Sequence, residues 1–277
     1  MPRTSVIFIR RPERAGWKAA AVVLLVAAAF WPVVSWYGRR MLDGSDDPWG
    51  VAALLLAGGF LWMRRGELGF PEWGRLAAAG VMAGYALGYA WIPALVRGLL
   101  LVICMGLVLG LFRRDLAIVA LLALSLPVMA SVQFYFGYPL RVMVAMGCEV
   151  LLAFGGLEVV REGTGLNWGG EQVVVDAPCS GVRMLWTGMV AHFAVCAWFR
   201  VEGWRLWALS AGAVLLLAVA NVVRATVLFF PEAGVVTWPE SAHELVGLVV
   251  FGVVVFLLVK MQNLLPQGRE VCRHALG

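Results

Sequence analysis

Charge is scarce in this chain. Only 14% of its 277 residues are Asp, Glu, Lys or Arg, whereas 62% are hydrophobic and mean hydropathy is +0.85. Water-soluble domains carry roughly 25% charged residues, so a soluble fold is excluded and a bilayer is the implied solvent. The roughly 10-residue apolar–polar alternation of a membrane barrel is missing as well, which leaves a polytopic helical protein. Cysteine is sparse and odd in number, at 104, 148, 179, 196 and 272, with no CxxC pair and no Cys–His spacing suited to zinc. No metal and no cofactor are expected. There is no internal repeat and no low-complexity linker, so a single integral membrane domain over 1–277 is the simplest organisation.

What is present in quantity is apolar sequence. Runs at 17–37, 49–63, 76–91, 95–112, 116–132, 180–199, 206–230 and 242–265 predict eight transmembrane helices, since crossing the hydrocarbon takes roughly 20 apolar residues as helix. The first run has no small-residue cleavage site that stands out, and is expected to be an uncleaved span. Formal charge is +5, but the basic residues sit in short clusters between the apolar runs, as topology signals do, and nucleic acid is not an expected partner. Placing the N-terminus in the cytoplasm puts the clusters at 3–18, 64–75, 113–114, 200–205 and 260–273 inside, fifteen of the 22 Lys and Arg. Both termini are therefore expected inside, in the plasma (inner) membrane.

The stretch from Gln133 to Cys179 fits no span. Arg141 and Glu149 interrupt an apolar pattern over 141–157, which predicts a re-entrant or interfacial helix. Short strands at 158–161 and 172–175, joined through Gly163–Gly170, predict a small extracytoplasmic β-hairpin leading into Asp176-Ala177-Pro178-Cys179-Ser180-Gly181.

In this topology Cys179, Arg224 and His243 lie on three different spans at one membrane face. Cys179 sits just before a helix N-terminus, whose positive dipole end favours thiolate. Arg224 lies about six residues below the outer end of its span, roughly 9 Å deep at 1.5 Å per residue, and Asn221 shares its helix face. His243 opens the last span beside Glu244 and has the chemistry of a general acid or base. Arg183, four residues after Cys179, is placed to support a thiolate or bind a substrate carboxylate. Each has a plainer reading. Cys179 reads equally as a buried structural cysteine or a disulfide partner of Cys148, Arg224 as a snorkelling arginine, and His243 as an interfacial histidine. Cys104 and Cys196 behave as small hydrophobes within apolar runs, and His192 and His274 are placed away from the outer face.

Three blocks carry a resemblance. Ala177-Pro178-Cys179-Ser180-Gly181-Val182-Arg183, Asn221-Val222-Val223-Arg224 and His243-Glu244-Leu245-Val246-Gly247 resemble, in order and spacing, the motifs of the exosortase/archaeosortase family of membrane cysteine transpeptidases. The likeness is densest over 126–256. It implies Cys179 as nucleophile and Arg224 and His243 as catalytic residues, with Ser180, Arg183, Asn221 and Glu244 in support. It also implies substrates whose C-terminal tail holds a short Pro-containing signal, an apolar span and a basic cluster, the PEP-CTERM type, transferred through a thioester to an acceptor nucleophile. Two rival readings remain: a thiol-redox protein using Cys148 and Cys179, and a non-enzymatic transporter or scaffold whose path Arg224 and His243 line.

Overall fold

A computed structural model describes residues 13–42, 49–176 and 180–263. The chain is mostly helical and divides into two compact units, 1–126 and 127–277. Among the described residues, three helices are long and apolar enough to cross a bilayer, at Met129–Phe154, Trp204–Glu232 and Ala242–Met261. A bent pair near the N-terminus raises this to four. The other apolar runs form shorter helices than the eight expected spans require.

The first unit holds α1 (Glu13–Ala29), α2 (Trp31–Leu42), α3 (Trp49–Met63), α4 (Glu72–Gly88), α5 (Ala94–Val108) and α6 (Leu116–Leu124). The straight span expected over 17–37 is broken at Phe30, where α1 and α2 meet at 86°. Pro32 is the physical reason. It lacks an N–H and its ring clashes with the carbonyl four residues earlier. Phe30 is fully buried there and stacks on Tyr85 of α4 with ring centroids 4.2 Å apart. At the other end of this unit, the Arg64 side chain is buried against the Asp115 carboxylate, Arg114 donates to the Glu67 carbonyl at 2.6 Å, and Arg113 lies over the Trp73 ring. The basic segments 64–75 and 113–114 therefore share one end.

The expected boundaries shift most from residue 116 onward. Helix α6 stops at Leu124, with the Ser125 hydroxyl bonded to the Leu122 carbonyl at 2.7 Å and Pro127 two residues on. The run expected to end at 132 and the separate interfacial helix expected over 141–157 are joined instead into one 26-residue helix, α7 (Met129–Phe154). Its charges are accommodated locally. Arg161 reaches Glu149 with both its backbone N–H and its Nε at 3.3 Å, and Arg141 lies over the Tyr138 ring.

The expected two-strand hairpin is a three-stranded antiparallel meander, β1 (Val160–Glu162), β2 (Gly165–Trp168) and β3 (Glu171–Val174). Gly169 and Gly170 both have positive φ, 60° and 89°, as the two-residue turn between β2 and β3 demands. Leu166 on β2 is buried against Val144, Cys148 and Leu152 of α7 and Phe229 of α9, which seats the sheet on the helices.

Helix α9 (Trp204–Glu232) is the centre of this unit, packing against α7, α8 (Val182–Trp198) and α10 (Glu240–Met261). Away from the sheet, His192 is fully buried with Nε2 3.0 Å from the Ser210 hydroxyl and 3.5 Å from the Cys196 sulfur. The Gln262 amide donates to that sulfur at 3.8 Å, and Arg205 donates to the Gln262 carbonyl at 3.3 Å. His192 and Cys196 thus tie three helices together.

Removing one member of a buried ion pair strands the other charge, at a cost of about 3–5 kcal/mol, whereas an apolar pair of similar volume is tolerated. Asp115→Ala should lower the detergent unfolding temperature markedly, and the double change Arg64→Met with Asp115→Leu should restore most of it. Equal melting of Asp115→Ala and parent protein would show that the pair contributes nothing.

Candidate functional site

The site is built on one face of α9. Asn221 and Arg224 are three residues apart and so project from the same side of the helix. Asn221 is buried, and the chain entering α8 packs on it. Gly181 has φ +81°, and a Cβ there would lie 2.5 Å from the Asn221 amide nitrogen. Only glycine meets both demands. One turn further along α9, half-buried Arg224 faces α10, and a Cβ on Gly247 would lie 3.4 Å from its Nε. Gly247 is one turn after His243 on the same face of α10.

His243 is half-buried and lines a cleft of about 200 Å³ with Cys148, Asp176, Ala225, Phe229 and Glu232. Ala225 adjoins Arg224 in sequence. The histidine and arginine segments therefore flank one short stretch of α9, residues 221–232, with the end of β3 forming a third side at Asp176. The two carboxylates at the rim are exposed, as is Glu244. Arg183 is exposed on the first turn of α8.

Cys179 lies outside the described residues, as does His274. The residues on either side of Cys179 are placed, however. Asp176 opens onto the His243 cleft, and Ser180 is buried with its hydroxyl donating to the Gln133 side-chain oxygen at 3.3 Å. The same hydroxyl accepts the Val182 N–H at 3.4 Å, which closes the turn into α8. Sequence reasoning did not single out Gln133. Its one signal is a polar amide at position 133 just ahead of the aromatic run Phe134-Tyr135-Phe136.

Cys148 is buried, lines the His243 cleft, and its thiol donates to the Val222 carbonyl at 3.7 Å. Among the described residues, no three of His, Cys, Asp and Glu gather as a metal site would need. What the arrangement offers is an imidazole on a small cleft with two carboxylates at its rim, and a guanidinium on the adjoining turn of α9. Such groups stabilise a developing oxyanion and carry a proton.

A family model for transmembrane exosortases matches the chain over residues 20–260. No curated protein and no solved structure matches it.

The Gly181–Asn221 contact predicts a specific coupling. Gly181→Ala should destabilise the protein through left-handed backbone strain, about 1–2 kcal/mol, and through collision with the Asn221 amide. In the double variant with Asn221→Ala the collision is removed and only the strain remains, so the two losses should fall short of additivity by about 0.5–3 kcal/mol. Detergent melting of the four proteins measures this, and simple additivity would mean the turn does not rest on Asn221.

Proposed function

Since the chain belongs to the transmembrane exosortase family, we propose that it is a membrane cysteine transpeptidase acting on the C-terminal sorting signals of exported, membrane-anchored proteins of the PEP-CTERM type. One observation carries this reading: the Ser180–Gly181 turn, Arg224 and His243 all border the same short stretch of α9. A nucleophile one residue ahead of that turn, a fixed cation and a proton carrier are what acyl transfer through a thioester requires.

In the proposed reaction the Cys179 thiol gives its proton to His243 and the sulfur attacks the carbonyl carbon at the scissile bond. Arg224 donates to the oxyanion of the tetrahedral intermediate. The C–N bond breaks, the departing amine takes its proton from His243, and the released fragment carries the substrate's own anchor. An acceptor nucleophile then loses its proton to His243, attacks the thioester, and the cysteine sulfur leaves as thiolate and recovers a proton. Asn221 and Gln133 hold the turn on which the sulfur is mounted, and Arg183 and Glu244 border the approach.

We further propose that this site lies at the extracytoplasmic face with both termini in the cytoplasm, on a single membrane domain whose eight apolar segments include short ones. Charge distribution supports this. In the second unit, Arg205 and Gln262 meet at the end of α9 opposite the sheet, near Arg200 and Lys260, and positively charged ends favour the cytoplasm. In the first unit the basic segments likewise gather at one end.

The test is processing of a tagged anchored substrate in native membranes. Cys179→Ala should insert normally and leave the substrate uncleaved. Arg224→Ala should slow processing by about 10²–10³, the usual effect of losing one oxyanion donor. Cys148→Ser should process normally, whereas a dithiol enzyme would lose its activity. Cleavage surviving in Cys179→Ala would rule out the covalent route.

A further inference from the structure

Further along the same face of α9 from the His243 cleft, toward the N-terminal end of the helix, the second unit holds a larger cavity. It measures about 580 Å³ and lies between α7 and α9, with Leu185 of α8 and Leu217 behind it. Its walls are aliphatic apart from one end, where Ser180, Gly181 and Asn221 line it. Those are the residues of the turn that follows Cys179 and of the α9 face that turn rests on. The cavity and the proposed reacting turn are continuous.

The long walls open sideways. Met143 and Val150 of α7 are 58% and 52% exposed, and Val219 of α9 is 54% exposed. For a helix pair within a bilayer, such an opening faces hydrocarbon, so an apolar segment enters without leaving the membrane. The cavity also has a direction. From Asn221 to Val214 it follows α9 for seven residues, about 10 Å at 1.5 Å per residue, away from the sheet and toward the end of the helix where Arg205 lies.

We infer that this groove is the docking site for the substrate's own transmembrane anchor. The inference rests on the transpeptidase reading and gives that site its binding half. A substrate of the proposed kind is ordered as signal, scissile bond, apolar span and basic tail. The groove runs in the same order, from a polar turn at the reacting end into an aliphatic trough that leads toward the opposite membrane face. A segment seated in it brings the residues just before its apolar span to Ser180 and Gly181. Recognition here is by volume and hydrophobicity, with Met143 and Met146 supplying unbranched side chains that adapt to different partners. The groove therefore accepts anchors of varied sequence, and selectivity among substrates falls to the polar signal outside it.

Filling the groove tests this in the full chain reconstituted in liposomes. The two probes are a fusion protein ending in a Pro-containing signal, an apolar span and a basic tail, and a soluble peptide with the same signal and no span. Val219→Trp should lower processing of the anchored probe by about tenfold or more relative to its effect on the peptide, the range that overpacking a filled site produces. Met146→Trp, from the opposite wall, should do the same and guards against a folding defect in one variant. Leu215→Trp, on α9 but outside the groove, should leave both probes unaffected. Equal effects of both groove variants on the two probes, or none on either, would overturn the groove while leaving the transpeptidase reading intact. Failure of the parent protein to cleave either probe would overturn that reading itself. A benzophenone probe at position 219 in the Cys179→Ala background should capture the anchored fusion. Capture of phospholipid alone would show the groove to be a lipid site.

Discussion

The close fit of Gly181 against Asn221 of α9 is the constraint on which the entry to α8 depends. Gly181 meets Asn221 and Gly247 meets Arg224, one turn apart on the same helix face. Any side chain at 181 would collide with Asn221 and strain a left-handed backbone, whereas Gly247 makes an ordinary contact that sets α10 beside Arg224. Through these contacts a single helix brings together segments that are separated by more than sixty residues of sequence. The sheet completes the arrangement, because Leu166 anchors it to α7 and α9 and delivers Asp176 to the edge of the His243 cleft.

Around that core the fold obeys the rule that polar groups away from water need partners. Arg64 is buried with Asp115, half-buried Glu149 pairs with Arg161, and His192 lies between Ser210 and Cys196. The two arginines nearest the proposed chemistry lie closer to the surface than Arg64. Arg224 is half-buried beside a small residue and Arg183 is exposed, positions from which a guanidinium reaches a reacting group. Two cavities follow one another along one face of α9. The one beside His243 is small with two carboxylates at its rim, and the one lined by Met143, Val150 and Val219 is large and aliphatic.

Membrane residence, the family and two of the three small strands were legible in the sequence because each rests on composition or on a local motif. Boundaries were less so. Hydropathy sums over a window and does not register where a helix bends, so the break at Phe30 and the stop at Leu124 were hidden within continuous apolar runs. Pro32 and Pro127 were the available signals. Strand β2 was hidden for another reason: Gly165-Leu166-Asn167-Trp168 lies between glycine turns and reads as a loop until Leu166 finds its place between α7 and α9. Gln133 had no local signal that would tie it to Ser180, 47 residues away.

Transfer of apolar side chains from water is nearly additive along the chain, and charge bias at helix ends is local. The amino-acid sequence alone therefore determined that this protein lives in a bilayer, where its basic clusters fall, and which reactive side chains it carries in which order. Contact between distant helices depends on crossing geometry and on the fit of particular side chains, and neither is additive nor local. The tertiary structure alone decided that Asn221 supports the Gly181 turn, that Arg224 faces α10 beside Gly247, and that an aliphatic groove opens from that turn.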